Sequence, residues 1–263
     1  MRLFSIILLM LALNGAHATE GEIAASNKPV GEVKPGKVFK DCSDCPEMVV
    51  IPEGNFEMES ISARSGVKNK HRVSIRKAFA LGKTEVTQRQ WKEIMGENPS
   101  QFTDCGDACP VENVSWSDAQ QFIQKLNAKT GKQYRLPTEV EWEYACRAGG
   151  EHTYCGSDKV DKVAWHEGNS NDAPHPVGQK QENAFGLHDI SGNVWEWVED
   201  SHYNSFSGVS GNESSRAVDR GLRPLRGGSW ADKPFHSRAA SRMMSKQTFR
   251  SRYSGFRLAR TLP

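Results

Sequence analysis

The folded part of the chain begins near Val38, where apolar positions first become regular. Met48-Val49-Val50-Ile51-Pro52 is a short β-branched run closed by proline, which predicts a strand. Phe56-Glu57-Met58 alternates and extends that strand across a turn, and Val73-Ser74-Ile75 alternates again. Phe79-Ala80-Leu81-Gly82 then leads into Glu85. From there the period changes. A first helix is expected over about Thr87 to Met95. A second has Ala119, Phe122, Ile123 and Leu126 at helical spacing, with Ser117 as its cap and Gln120 in the capping-box position. It stops at Thr130-Gly131, as a C-terminal glycine should impose. The third starts at Thr138, where Glu141 completes a T-x-x-E box, and runs through Trp142, Tyr144 and Ala145. Beyond Gly149 no long helix is legible. That half is rich in Gly, Asn, Ser and Pro, punctuated by tryptophans. It can fold only if turns, disulfides, ions or side-chain networks satisfy its backbone.

Upstream of Val38 the pattern is of another kind. Arg2, the apolar run Leu3 to Leu13 and the small-x-small triplet Ala16-His17-Ala18 make residues 1–18 a secretory signal peptide. The run is short for a membrane span, which needs about 20 apolar residues. Residues 19–37 are polar and read as a flexible leader, leaving 38–263 as one folded domain. The expected location is exported, periplasmic or secreted, with no membrane span after cleavage. A net charge of +2 gives no reason to expect nucleic acid or membrane as a partner. Only the end is biased, with Arg238, Arg242, Lys246, Arg250, Arg252, Arg257 and Arg260. Pairing with carboxylates or solvent accounts for them more simply than an anion-binding face.

Export places all six cysteines in a disulfide-permissive compartment. Cys42 and Cys45 form a CxxC, Cys105 and Cys109 a CxxxC, and Cys146 and Cys155 stand further apart. Six cysteines allow 15 connectivities. Closeness in sequence favours the local pairs. Zinc is a weaker alternative, because no CxxC partners another at ribbon spacing. A thioredoxin-like role for Cys42-Ser43-Asp44-Cys45 is weaker still, since no βαβ pattern surrounds it.

Several blocks in order resemble the formylglycine-generating enzyme (sulfatase-modifying factor) family. They are Cys45 to Pro52 with Gly54-Asn55-Phe56, Lys83-Thr84-Glu85-Val86-Thr87, and Pro110 to Trp116 with Asp118-Ala119. Tyr134 to Ala145, Asn183 to Trp197, Arg226-Gly227-Gly228-Ser229-Trp230 and Gly255 to Arg260 continue the series. The resemblance implies a loop-rich α+β domain of the C-type-lectin-like kind. It implies an exported enzyme of the oxidoreductase type that modifies a peptide, a protein or a peptide-derived small molecule. The chain is expected to be monomeric. The alternative is a lectin-like module that binds protein or glycan without catalysis.

Active members of that family carry a copper-binding cysteine pair after the serine of the Gly-Gly-Ser block. Here Ala231 to Tyr253 holds no cysteine. Two thiolates that select Cu(I) are missing, so copper is not expected and conversion of cysteine to formylglycine is doubtful. The groove candidates are Ser229, Trp230, Asp232, His236 and Arg238, with any other redox metal left open. Trp195 and Trp197 are expected to fill core. The resemblance also implies a calcium site made of Asp189, the carbonyls of Gly192 and Val194, and Glu196. Calcium takes six to eight oxygens from such groups. The competing reading pairs Glu196 with an arginine of the C-terminal segment.

Overall fold

Proline at position 52 ends one ladder, and the chain answers with many short strands rather than a few long ones. The computed structural model describes residues 34–61, 68–201 and 221–263. The expected signal peptide and residues 19–33 of the leader lie outside the described residues. The first strands are β1 (Val38–Phe39), β2 (Met48–Ile51), β3 (Gly54–Ile61), β4 (Lys68–Ile75), β5 (Phe79–Gly82) and β6 (Tyr134–Arg135). The later ones are β7 (Trp195–Trp197), β8 (Leu222–Arg226), β9 (Arg242–Lys246), β10 (Ser254–Gly255) and β11 (Ala259–Thr261). An antiparallel sheet runs in the order β1-β2-β5-β11-β6. A second sheet runs β10-β7-β8-β9, with β10 parallel to β7.

β3 does not extend β2. It pairs along its whole length with β4 as a separate two-stranded ribbon, because the Pro52 turn takes it out of the first sheet. That corrects the expected continuation through Phe56 and Met58.

The helices follow their caps. In α1 (Gln88–Met95) Thr87 and Gln90 form a reciprocal capping box, and Gly96 closes the end in the left-handed conformation. In α3 (Glu139–Arg147) Thr138 and Glu141 do the same. The cap of α2 (Trp116–Thr130) differs from expectation: it is Ser115 with Asp118, not Ser117 with Gln120. Ser117 already lies in the first turn and donates to the Gln247 carbonyl, while Gln120 donates to Glu199. After α3 the described residues hold only the single turn α4 (Val160–Val163) as α-helix.

The five-stranded sheet separates two cores because successive side chains point to opposite faces. Met48, Ala80 and Leu258 join Trp91, Phe122 and Phe256 under α1 and α2. Val49, Leu81 and Ala259 join Trp142, Leu187 and Ile190 on the other side. Three disulfides pin loops to this frame: Cys42–Cys45, Cys105–Cys109 and Cys146–Cys155, the local pairs. No described helix is long and apolar enough to cross a membrane.

Candidate functional site

The strand β8 delivers the Gly-Gly-Ser block into the second core. Its last residue, Arg226, is buried and binds Glu139 and Glu143 of α3 at 2.8 Å each. Gly228 follows at φ 79°, and a Cβ there would lie 2.8 Å from the His236 carbonyl oxygen. Only glycine lets the 3-10 turn Pro234–Ser237 pack this close. Ser229 is fully buried and donates its hydroxyl to Oδ2 of Asp232. The same oxygen accepts the Trp195 indole N–H at 2.8 Å. One carboxylate oxygen therefore ties strand β7 to the loop after β8.

The other groove candidates are divided by this lock. His236 is exposed and meets the edge of Trp195 at 6.4 Å between ring centroids. Arg238 lies over Phe235 at 4.6 Å. Trp230 is buried and turns the other way, with Phe102 and Tyr253 each at 5.2 Å. Arg252 covers both Trp230 and Tyr253 and donates to the Tyr253 hydroxyl at 2.6 Å. Asp232 and His236 gain no third ligand: no group of three His, Cys, Asp or Glu side chains suited to a metal ion occurs among the described residues. Trp195 and Trp197 are both buried, and Trp197 donates to the Val114 carbonyl at 3.0 Å.

Behind the aromatic shelf sits Glu112, which no sequence signal marked. It is fully buried. Its Oε1 accepts the Phe102 N–H at 2.8 Å, and its Oε2 has no partner. Burial raises its carboxyl to about 7, against the pull of the Phe102 and Gln101 N–H groups and of Arg252.

The expected calcium loop is strongly shaped. Asp189, Gly192 and Asn193 all take left-handed backbone conformations, at φ 53°, 77° and 58°. A Cβ at Gly192 would sit 2.3 Å from the Trp165 carbonyl oxygen, so glycine is obligatory there. Asp189 is buried: its Oδ2 accepts the Gly178 N–H at 2.6 Å and its Oδ1 has no partner. Glu196 is different. Arg257 grips both of its oxygens at 2.7 Å, and Trp142 adds an indole N–H at 2.7 Å. The alternative pairing with a C-terminal arginine is the one present. The residues fit a calcium ion at Asp189, where an acceptor-only oxygen is orphaned, and do not fit one at Glu196. Beside this loop opens a cleft of about 410 Å³, lined among others by Lys83, Thr84, Arg89, Gly178 and His188.

The arginine-rich end is mostly paired. Arg242 meets Glu139, Arg250 meets Asp118 and Arg260 meets Asp41, beside the Arg257–Glu196 pair.

Residues 34–262 match the sulfatase-modifying factor enzyme 1-like domain. A chaperone protein LppX of Paenibacillus barcinonensis is 32% identical over 212 residues, covering 59% of this chain and 72% of that protein. An inactive C-alpha-formylglycine-generating enzyme 2 of Bos taurus is 32% identical over 171 residues, covering 57% of this chain and 50% of that protein. The chain thus spans half of the bovine relative's length. Among solved structures, PvdO from Pseudomonas aeruginosa superposes with a TM-score of 0.75 at 32% identity, over 87% of this chain and 99% of that one. The fold is the α+β, C-type-lectin-like one that these relatives share.

Proposed function

Because the chain belongs to the sulfatase-modifying factor family, we propose that it is an exported member that binds a polypeptide and does not convert cysteine to formylglycine. The observation that carries this reading is Asp232. It stands three residues after Ser229, on the segment where active members bear their copper cysteines. Its Oδ2 is occupied by Ser229 and Trp195 as a structural lock. A carboxylate consumed by two hydrogen bonds is a poor start for a redox centre, and thiolates that would hold Cu(I) are lacking.

What the fold retains beside the lock is a shelf suited to peptide. Phe102 and Tyr253 are half-buried, Trp230 floors them, and Arg252 offers a planar donor fork at the rim. Aromatic and arginine side chains of this kind dominate protein-binding surfaces. Two relatives, one named a chaperone and the other an inactive enzyme, agree with binding without oxidation. The signal sequence at residues 1–18 supports export. We also propose calcium at the Asp189 loop, with the carbonyls of Gly192 and Val194. Calcium there would supply structural charge balance, not chemistry.

Two measurements test the reading. A Cys-x-Pro-x-Arg peptide incubated with the protein, copper and oxygen is expected to keep its mass. A loss matching thiol-to-aldehyde conversion would restore the oxidoreductase reading. A displayed random peptide library is expected to yield binders that Tyr253→Ala and Arg252→Ala each weaken about tenfold or more, with both variants still folded by circular dichroism. Binders indifferent to both substitutions would move the binding face elsewhere.

A further inference from the structure

The cleft that opens at α1 is walled by segments which backbone hydrogen bonds stitch together. Lys83 donates its N–H to the Glu47 carbonyl at 2.8 Å, and its own carbonyl accepts the His188 N–H at 2.9 Å. Arg89 donates its N–H to the Asp107 carbonyl at 3.1 Å, and the Val177 N–H reaches the Ala108 carbonyl at 3.0 Å. The Cys105–Cys109 bridge closes the loop that carries Asp107 and Ala108. The cleft is therefore preformed, and its volume of about 410 Å³ falls in the range usual for small-molecule sites. None of the shelf residues Phe102, Trp230, Arg252 and Tyr253 lines it.

Its lining charges do not balance. Lys40, Lys83 and Arg89 share it with Glu47 and Asp107. Lys40 lies 3.6 Å from Glu47, so those two answer each other. His188 is engaged by Glu182 at 3.2 Å and by the Lys180 carbonyl at 2.8 Å. That leaves Lys83, half-buried, and Arg89, exposed, against the single carboxylate of Asp107. Among the described residues neither cation meets a carboxylate. Arg226, Arg242, Arg250, Arg257 and Arg260 each have one. Arg89 is also placed against the field of its own helix. It is the second residue of α1, whose first turn holds no acid, and a cation there opposes the positive end of the helix dipole. The N–H groups of that turn are already taken: Gln88 donates to the Cys109 carbonyl, Arg89 to that of Asp107, and Gln90 to the Thr87 hydroxyl. The helix end thus adds positive potential without a free backbone donor, and the hydrogen bonds to any ligand must come from side chains. A local choice that disfavours the fold and is offset by no internal acid is what a binding function leaves behind.

We propose that this cleft binds an oxyanion, the carboxylate or phosphate group of a small molecule, between the Lys83 ammonium and the Arg89 guanidinium. The guanidinium presents a planar fork that matches either group, and the ammonium adds a compact charge with three donors. The oxyanion supplies the negative charge that the first turn of α1 lacks. The site is separate from the aromatic shelf and does not depend on the polypeptide reading.

The test titrates the full chain, labelled with nitrogen-15, with inorganic phosphate and with succinate, each against chloride at equal ionic strength. Saturable shifts of the Lys83, Arg89, Asp107 and Gly178 amides are expected with at least one of the two. Saturation by phosphate alone assigns the site to a phosphate, and by succinate alone to a carboxylate. Lys83→Gln and Arg89→Gln are each expected to weaken the binding about tenfold or more, the loss of one charge-assisted contact. Shifts that fail to saturate with either anion by about 50 mM overturn the proposal, because such binding is too weak for a specific site. Saturation left unchanged by both substitutions overturns it as well, since the anion then sits elsewhere. A second readout needs no ligand. In chloride alone Arg89→Gln is expected to melt no lower than wild type, because it removes an unpaired cation from a helix start. A lower melting temperature there would show that the guanidinium serves the fold, and the proposal would fall.

Discussion

Arg257 holds Glu196 through two parallel hydrogen bonds of 2.7 Å, and neither residue is accessible to solvent. The pair joins the Gly-Phe-Arg block at the chain's end to the Trp-Glu-Trp block more than sixty residues earlier. It also fixes Trp142 of α3, whose indole shares the same carboxylate. Breaking one partner of such a pair strands a charge in the interior. Arg257→Met is therefore expected to cost about 3–5 kcal/mol in chemical denaturation, and Arg257→Met with Glu196→Leu to recover a good part of that loss. A loss below about 1 kcal/mol for the single variant would mean that the pair is not what holds the two blocks together.

The disulfides make a second set of expectations. Alkylation of the native protein without reductant should label no cysteine, since all six are paired. Under graded reduction Cys146–Cys155 should open last. Both of its sulfurs are buried, whereas Cys42 and Cys105 are only half-buried, and thiol exchange needs access. Peptide mapping after trapping at each reductant concentration gives the order. Early labelling of Cys146 would contradict it.

Much of this fold was legible because local chemistry announces itself. Thr138 with Glu141 and Gly131 after Thr130 mark helix ends by mechanism, and β2 is an uninterrupted apolar run because it is buried throughout. Pairing was not legible. β11 sits between β5 and β6, strands that lie far upstream, and nothing local encodes that choice. The site was read in part. The resemblance marked Asp189 and Glu196, but nothing beside Glu85 or Glu112 in the sequence signals that a carboxylate oxygen there will be buried without a partner. Asp232 was named as a groove candidate; its capture by Trp195 depends on a contact across 37 residues.

The cap of α2 offers a local check on the corrected boundary. Ser115 and Asp118 satisfy each other's backbone N–H groups, and Arg250 braces Asp118 at 2.6 Å. Ser115→Ala should cost about 1 kcal/mol, the usual loss of a serine cap. Ser117→Ala, which removes one half-buried hydroxyl contact, should cost less than about 0.5 kcal/mol. Urea denaturation of the two variants ranks them. The reverse order would return the cap to Ser117.

Glu112 gives the protein a pH dependence of definite sign. Its carboxyl is raised from an ordinary 4.5 to about 7 by burial. The folded state therefore holds this proton more tightly than the unfolded chain does. The stability it contributes is fully present below about pH 4.5 and is lost as pH rises through about 7. Glu112→Gln keeps the acceptor for the Phe102 N–H and cannot ionise, so it lacks this component. The difference in unfolding free energy between wild type and Glu112→Gln should move against wild type by about 1–3 kcal/mol between pH 4.5 and 8, the cost of a buried unsatisfied group. Asp200, raised to about 6 by burial and by Glu139, titrates in the same direction in both proteins and cancels in the difference. Because Glu112 faces Arg252, the same titration should reach the aromatic shelf, and Arg252→Gln should steepen the wild-type loss by removing the cation that favours the ionised form. Two stability curves that run parallel across this range would show that Glu112 stays in one protonation state and that its second oxygen is satisfied by solvent.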